Sequence, residues 1–242
     1  MLQNFKEIAY QTLSIPKSQN DRGTYLIDRA ECILHHCNVI SQLPEVSRFQ
    51  IDKKCLQIAA LFNDTGFANH IGKNKKNANI NLTDLSDEDQ RDFSSQFVTE
   101  KLPHLLNAPQ LERVCNIILA VNNRNTSLVE AMILSDARNI TDMGAIGILG
   151  EMQKSITHGR SITDVTKSWK RKIEYDYWTA RLRDSFRFNG VRIIAKKRLA
   201  TACTFMEILE QEYNTSDFEA LITEKETATS HRDNAEYINF SG

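Results

Sequence analysis

The sequence contains little glycine and proline. Nine glycines and four prolines occur among its 242 residues, about 5% of the chain where globular proteins average near 12%. β-Sandwiches and β-barrels need many tight turns, and tight turns depend on these two residue types. The shortage therefore argues against both architectures and favours a helical protein with short connections.

Long hydrophobic runs, paired cysteine motifs and a net charge are also missing. No apolar stretch approaches the roughly 20 residues of a membrane-spanning helix, so no membrane partner is expected. The five cysteines form no Cys-x-x-Cys pair, which indicates reduced thiols and a cytoplasmic location rather than a disulfide framework. Thirty basic residues nearly balance 31 acidic ones, unlike the strongly basic composition of most nucleic-acid-binding domains.

Apolar residues recur at steps of three and four along most of the chain, which predicts an all-α fold. We expect a single helical bundle over residues 1–222 and a polar tail at 223–242. One helix is predicted from Asp21 to Leu43, where Pro44 ends it because the residue before proline avoids helical angles. The nearly continuous apolar run from Ile51 to Phe62 predicts a second helix, deep in the core.

The remaining chain divides into a polar loop at 69–81 and further helices. These helices are predicted at 86–102, 109–121, 127–134 and 139–154. Ser127 and Glu130 have the spacing of a capping box, which predicts a helix start at Ser127. A long helix is expected from Ser161, interrupted at Asn189-Gly190 and resumed to Tyr213.

Positive charge is concentrated between Lys167 and Arg198, where 11 basic residues face 3 acidic ones. Such a stretch can bind a phosphorylated ligand or nucleic acid. It can also pair with acidic residues elsewhere, such as those at 207–226. The second interpretation is favoured because the whole chain is close to neutral.

Three segments carry the pattern of a known family. Residues 58–66 read Ile-Ala-Ala-Leu-Phe-Asn-Asp-Thr-Gly, 130–139 read Glu-Ala-Met-Ile-Leu-Ser-Asp-Ala-Arg-Asn, and 141–148 read Thr-Asp-Met-Gly-Ala-Ile-Gly-Ile. Their order resembles the HD superfamily of metal-dependent phosphohydrolases. Its motifs read Ala-Ala-Leu-Leu/Phe-His-Asp-Ile-Gly and Glu-Ala-x-Ile-Leu-x-Asp-Ala-Asp, followed by Gly-Ala-Ile-Gly-Ile. The resemblance extends from about Tyr25 to Glu212 and implies a helical bundle.

In that family, histidines, a His-Asp pair and a distal Asp hold a divalent cation that activates water. The resemblance places Asp64 and Asp136 at the two Asp positions. They are the candidate catalytic residues if the protein is an active enzyme. Asn63 replaces the histidine of the pair, and Arg138 replaces the last residue of Asp-Ala-Asp. Asn63, Asp64 and Asp136 are thus the candidate metal ligands. An amide oxygen suits a hard ion such as Mg²⁺ and is a poor substitute for imidazole at Zn, Fe or Mn sites. The main expectation is that no cofactor binds, with Mg²⁺ or Mn²⁺ as the alternative.

The family's first-helix histidine aligns best with Arg29. His36 is the alternative ligand, but it stands two helical turns further on, about 10 Å along the axis. Asn122 falls where the family carries an auxiliary histidine, and Arg198 belongs to the matching closing segment. His70 follows Asp64 in the polar loop. The candidate ligand-binding residues are therefore Arg29, Asn63, Asn122, Arg138 and Arg198.

The substituted histidines favour a degenerate site without a cofactor, in which Arg29 neutralises Asp64 or Asp136. We expect a catalytically silent protein that binds an unidentified phosphorylated small molecule or a protein partner. One alternative is an active nucleotide phosphohydrolase with a Mg-type centre at Asp64 and Asp136. Another is nucleic-acid binding through Lys167–Arg198. In a purely structural interpretation, Asp64 and Asp136 cap helix ends.

Overall fold

The computed structural model of the protein describes residues 2–14, 24–68, 85–157 and 159–219. The polar loop expected at 69–81, with His70, and the tail expected at 223–242 lie outside these ranges. Within them the chain forms helices and no strand, so the predicted all-α class is confirmed. The predicted boundary at residue 222 also lies outside the described residues.

From Asp87 onward the helices follow one another with short connections. They are α1 (Leu2–Leu13), α2 (Tyr25–Ile40), α3 (Pro44–Ser47), α4 (Lys53–Phe62), α5 (Asp87–Lys101), α6 (Ala108–Ala120), α7 (Val129–Thr141), α8 (Gly144–Thr157), α9 (Ile162–Glu174), α10 (Tyr177–Asp184) and α11 (Asn189–Asn214). None of the helices in the described ranges has the length and apolar character needed to cross a bilayer.

Helix α4 lies in the core, as its apolar run predicted. It packs against α1, α2, α6 and α7, and its side chains from Ile58 to Phe62 are all fully buried. The burial continues past the end of the helix into Asn63, Asp64 and Thr65, which are 0–1% exposed. Buried polar groups need partners. A cluster of them at the end of α4 therefore marks this region as a candidate functional site.

The predicted start of a helix at Ser127 is wrong. Helix α7 begins at Val129 after Leu128, which makes no side-chain cap, and continues past Leu134 to Thr141. Glu130 is fully buried and makes tertiary bonds instead. Its carboxylate accepts hydrogen bonds from the Asp52 backbone N–H and from Arg113, both at 2.7 Å. These partners explain why Glu130 does not take the local capping role.

The predicted continuous helix at 139–154 is also wrong, because the chain turns between α7 and α8 at residues 142–143. Gly144 has φ +78°, a left-handed conformation that favours glycine. A Cβ on Gly147 would overlap the carbonyl oxygen of Asp142. The structure therefore explains why glycine occupies positions 144 and 147 of the Gly-Ala-Ile-Gly-Ile run. They let the chain turn tightly and place Asp142 at the end of α7.

The long helix predicted from Ser161 is broken twice. The first break follows α9, where Asp176 adopts φ +51°. The second lies at 185–188, so Asn189 and Gly190 begin α11 rather than interrupting a helix. Four backbone N–H groups at this start bind two carboxylates. Asp136 accepts from residues 187 and 188, and Glu45 accepts from residues 189 and 190. Acidic groups at a helix N-terminus stabilise its unpaired N–H groups.

Several side chains of the basic stretch form ion pairs within the protein. Lys170 pairs with Glu210 of the acidic region at 207–226, and Lys172 lies 3.7 Å from Glu151. Arg181 pairs with Asp142 at 2.9 Å. With the pair of Arg183 and Asp184, four of the eleven basic residues of this stretch form ion pairs within the protein, which supports the interpretation that part of the positive charge is balanced internally.

Candidate functional site

A cavity of about 460 Å³ lies beside the end of α4, bounded by α2, α7, α8, α9 and α10. Its volume is in the range of small-molecule sites. One end carries charged side chains, and the other is largely apolar and aromatic. Both tryptophans of the chain, Trp169 and Trp178, line it. We call it the aromatic cavity.

A chain of ion pairs forms the charged end. The Arg29 guanidinium, from α2, donates to Asp64 through Nη1 and to Asp142 through Nη2, the latter at 3.2 Å. The other oxygen of Asp142 accepts from Arg181 Nη2 at 2.9 Å. Asp64 is fully buried, whereas the side chain of Asp142 is 38% exposed. The ion-pair chain Asp64–Arg29–Asp142–Arg181 thus extends from the core to the surface.

Electrostatics keep the middle of this chain charged at neutral pH. Burial disfavours the cation of Arg29, but the carboxylates of Asp64 and Asp142 outweigh it and raise the pKa of Arg29 above its ordinary value. Burial likewise opposes ionisation of Asp142, but Arg29 and Arg181 hold the pKa of that carboxyl below its usual range. Each group therefore stabilises the charged form of its neighbour.

Arg138 also lines the aromatic cavity but makes no ion pair with any described residue. Its Nε is inaccessible to solvent and has no hydrogen-bond acceptor among the described residues. Burial lowers the pKa of Arg138 below its ordinary value, with Asp64 acting in the opposite direction. No described residue accepts a hydrogen bond from the Arg138 guanidinium, and a cation of this kind in a cavity lining has the character of an anion-binding group.

Asp136 does not join Asp64. It precedes Arg138 by two residues, about 200° around the helix, and lines neither of the two described cavities. Its carboxylate oxygens accept from the backbone N–H groups of Arg187 at 2.8 Å and Phe188 at 3.0 Å. Its observed role is the capping role of the structural interpretation, and the second acid at the cavity is Asp142.

Asn63 is engaged structurally through its Nδ2 and its backbone, whereas its Oδ1, the atom that would bind a metal ion, is buried without a hydrogen-bond partner among the described residues. Its Nδ2 donates to the Ala60 carbonyl at 2.7 Å, and its backbone oxygen accepts from Ser94 Oγ at 2.9 Å and from the Gln90 amide. Among the described residues, no group of three or more His, Cys, Asp or Glu side chains could hold a metal ion. With Asp136 facing elsewhere and Asp64 paired with a guanidinium, the candidate ligands do not fit a metal centre.

His36 lies outside the aromatic cavity and has both ring nitrogens engaged. Nδ1 is 2.8 Å from Thr141 Oγ1, and Nε2 is 3.1 Å from Arg198 Nη2. Because Thr141 Oγ1 donates to the Ala137 carbonyl and a guanidinium only donates, we assign the His36 proton to Nδ1. Burial and the charge of Arg198 lower the pKa of His36 to about 4. This neutral, fully bonded imidazole is not free to act as a ligand.

Arg198 serves the same packing contact, since its Nη1 donates to the Ile140 carbonyl at 2.9 Å. Asn122 lies in the α6–α7 connection and lines a second, adjoining cavity of about 550 Å³. We call this second space the polar cavity. Of the five candidate ligand-binding residues, the structure brings only Arg29 and Arg138 into the lining of the aromatic cavity.

Sequence reasoning missed Asp142 and Arg181 as site residues. Asp142 directly precedes Met143-Gly144 of the motif, and an acid beside a motif glycine was the signal that could have identified it. Arg181 offered no such signal within a stretch of many basic residues. Its position follows from the packing of α10 against the end of α7.

An aromatic cluster also lines the aromatic cavity and adjoins the ion-pair chain at Arg181. The Trp169 and Trp178 ring centroids are 5.1 Å apart, and Tyr177 meets Trp178 edge-on at 5.0 Å. The cations of Lys172 and Arg181 lie 5.7 and 5.9 Å from the Trp178 centroid. Such pairs stabilise the cluster and present flat apolar surface to a ligand.

The buried groups Asp136 and His36 predict a pH dependence of stability. Burial raises the pKa of Asp136 from 3.8 to about 7, so its contribution is present below about pH 4 and is lost as the pH rises through 7. The pKa of His36 falls from 6.5 to about 4, so its contribution is lost as the pH falls from 6.5 through 4. Between pH 4 and 6.5 the two slopes oppose each other.

Replacing Asp136 or His36 should reveal the pH dependence of the free energy of unfolding that the other residue causes. In Asp136→Asn the free energy of unfolding should fall by roughly 2–3 kcal/mol as the pH drops from 6.5 to 4. In His36→Gln it should fall by a similar amount as the pH rises from 4 to 7. Urea unfolding across this range measures both. Parallel pH profiles for the two variants would contradict the prediction.

No known family model matches the sequence, and no curated protein matches it. Solved structures do match the fold. The crystal structure of Bacillus subtilis YpgQ in complex with ADP is 16% identical, with a TM-score of 0.54, and the alignment covers 86% of this chain and 97% of that one. The Lin1889 protein from Listeria innocua is 16% identical, with a TM-score of 0.52, and 88% and 97% are covered. At this identity the similarity shows a shared fold.

Proposed function

We propose that the aromatic cavity binds a phosphorylated small molecule without a metal ion, and that the protein is a binding module rather than a hydrolase. The observation that carries the proposal is the Arg29 guanidinium. It pairs with Asp64 and Asp142, at the site where the resemblance to the HD superfamily implies a divalent cation. A guanidinium supplies positive charge there but cannot lower the pKa of a bound water as a metal ion does.

Arg138 is the group that contacts the phosphate in this proposal. The four members of the ion-pair chain cancel in charge, and Lys172 lies 3.7 Å from Glu151. The remaining charged groups of the lining are Arg138 and the exposed acids Asp28 and Asp87, neither of which forms an ion pair with it. A planar guanidinium with free N–H groups matches the geometry of phosphate oxygens.

The aromatic cluster suits the apolar or aromatic part of such a ligand. Trp169 is half-buried and Tyr177 is exposed, so their rings provide flat surfaces on which a planar ring can stack, whereas Trp178 is buried among its neighbours. ADP, which is bound in the crystal structure of YpgQ, combines a planar base with phosphates and is therefore a suitable probe. A small molecule is favoured over a protein partner because the feature that carries the proposal is a concave cavity.

Tryptophan fluorescence tests the proposal directly, since both tryptophans line this cavity. Titration with ADP in the presence of a chelator should change the emission of the wild-type protein. Arg138→Gln should weaken ADP binding about 10- to 100-fold, because it removes one or two charge-assisted hydrogen bonds. Arg192→Gln, on the exposed face of α11 and outside both described cavities, is the matched control and should bind as the wild type does.

Equal ADP affinity in Arg138→Gln and Arg192→Gln would refute the assignment of Arg138. Metal analysis of the purified protein separately tests the proposal that the site binds its ligand without a metal ion. Stoichiometric Mn, Fe or Zn would contradict the metal-free site. Metal-dependent hydrolysis of nucleotides that is lost in Asp64→Ala would favour the alternative of an active phosphohydrolase.

A further inference from the structure

The polar cavity adjoins the aromatic cavity and shares α7 and α10 with it. The α6–α7 connection, one face of α7, helix α10 and the chain between α10 and α11 bound most of it. Asp87, Asp142, Tyr177 and Arg181 line both spaces. The Asp142–Arg181 ion pair therefore lies on a shared wall, and a group bound in one space is next to the other.

The unpaired charge in the polar cavity is mainly positive. The lining contains three carboxylates and three guanidinium groups, which belong to Asp87, Asp142, Asp184, Arg124, Arg181 and Arg187. Asp142 and Asp184 already pair with arginines, the latter with Arg183. Among the described residues, Arg124 and Arg187 make no ion pair within 4.0 Å. Asp87, which is exposed, is the acid of this lining that makes no ion pair with a described residue.

Arg187 is held firmly but keeps a free donor. Its backbone N–H is fixed by Asp136 at 2.8 Å, and its Nη1 donates to the carbonyl of Arg124 at 2.9 Å. Its Nε is shielded from solvent and has no acceptor among the described residues. Because Nε is shielded, the group of Arg187 that can meet an anion in the cavity is Nη2, which makes no hydrogen bond to a described residue.

Neutral donors accompany the two arginines. The side chains of Asn122 and Ser185 line the same space and make no hydrogen bond to other described residues. Guanidinium groups with neutral amide and hydroxyl groups around them form a typical set for the oxygens of a phosphate.

We infer that the polar cavity is a second phosphate subsite, in which Arg124 and Arg187 bind the anion. The phosphate is either a free ion or the far end of a ligand held in the aromatic cavity. Only the second case rests on the proposed function. The subsite itself depends on residues that the aromatic cavity does not use.

Calorimetric titration with inorganic phosphate at low ionic strength tests the subsite. Phosphate should bind Arg138→Gln, in which the aromatic cavity is impaired, and should leave its tryptophan emission unchanged. The double variant Arg124→Gln/Arg187→Gln should lose about tenfold or more in phosphate affinity, whereas Arg192→Gln should not. Thermal unfolding without phosphate checks that each variant is folded. Arg187→Gln alone provides the same comparison if the double variant does not fold.

Equal phosphate affinity in the double variant and in Arg192→Gln would overturn the inference. So would a loss of all phosphate binding in Arg138→Gln. The proposed function fails on a different readout, namely an ADP affinity that Arg138→Gln leaves unchanged. The two failures are therefore distinguishable.

A series of AMP, ADP and ATP distinguishes the two sources of phosphate. If one ligand reaches both cavities, affinity should rise from AMP to ATP, and this gain should shrink in the double variant. Inorganic phosphate should then compete with ATP. If the subsite takes free phosphate, ADP and phosphate should bind together, and the double variant should leave the nucleotide series unchanged.

Discussion

Replacing Arg29 by methionine is expected to lower the free energy of unfolding by about 3–5 kcal/mol, the usual effect of removing one partner from a buried ion pair. Asp64 is fully buried and would lose its only ion-pair partner among the described residues. Its Oδ1 already lacks a hydrogen-bond partner there. Methionine keeps much of the side-chain volume, so the loss reports mainly on charge. Urea unfolding at pH 7 measures it.

A double-mutant cycle separates the ion pair from packing effects. Asp64→Asn alone leaves the Arg29 cation with one carboxylate and should also destabilise the protein. Arg29→Met/Asp64→Asn should cost clearly less than the sum of the two single variants, because neither unpaired charge remains. Additive losses would contradict a coupled pair. Arg183→Met, on the exposed pair with Asp184, is the control and should change stability very little.

Replacing Gly147 by alanine is expected to destabilise the protein by about 3 kcal/mol, because overpacking a close backbone contact forces the chain to move. The new Cβ would overlap the carbonyl oxygen of Asp142. The side chain of that residue bridges Arg29 and Arg181. Displacing the turn should therefore weaken ADP binding in the aromatic cavity as well as stability. Urea unfolding and fluorescence titration measure the two effects.

Gly150 offers a matched control in the same helix. An alanine Cβ there would meet Tyr25 Cε2 at 3.7 Å, an ordinary contact. Since glycine inside a helix costs up to about 1 kcal/mol relative to alanine, Gly150→Ala should be neutral or stabilising. Similar destabilisation in Gly147→Ala and Gly150→Ala would show that the contact with Asp142 is not the cause.

Local signals in the sequence were sufficient for much of the fold. Side chains of one helix share a face at fixed spacing, so the apolar run ending at Phe62 predicted a buried helix. Ser86 and Ser161 precede the helices they cap, and their side chains accept hydrogen bonds from the backbone N–H groups of Asp89 and Asp164. The Asn63-Asp64 motif also indicated buried polar groups at the end of this helix, and Asn63 and Asp64 are 0–1% exposed there.

Local signals gave wrong predictions where the partner of a side chain comes from a distant part of the chain. Ser127 and Glu130 have capping spacing, but Glu130 binds Asp52 and Arg113 instead. Asp136 matched a motif position, yet it faces the start of α11, some 50 residues later in the chain. No periodicity along α7 distinguishes the side facing α11 from the side facing α2, since both sides are buried.

The sequence by itself determined the helical class, the deep position of α4 and the polar groups at its end, because these depend on the spacing of residue types along one segment. Only the tertiary structure decided which acid joins Arg29 and Asp64, and which arginine keeps free donors. Asp142, Arg138 and Arg181 acquire these roles from the turn at Gly144–Gly147 and from how α2, α7 and α10 pack. An ion pair between helices depends on distances of a few ångströms in space, which the order of residues does not specify.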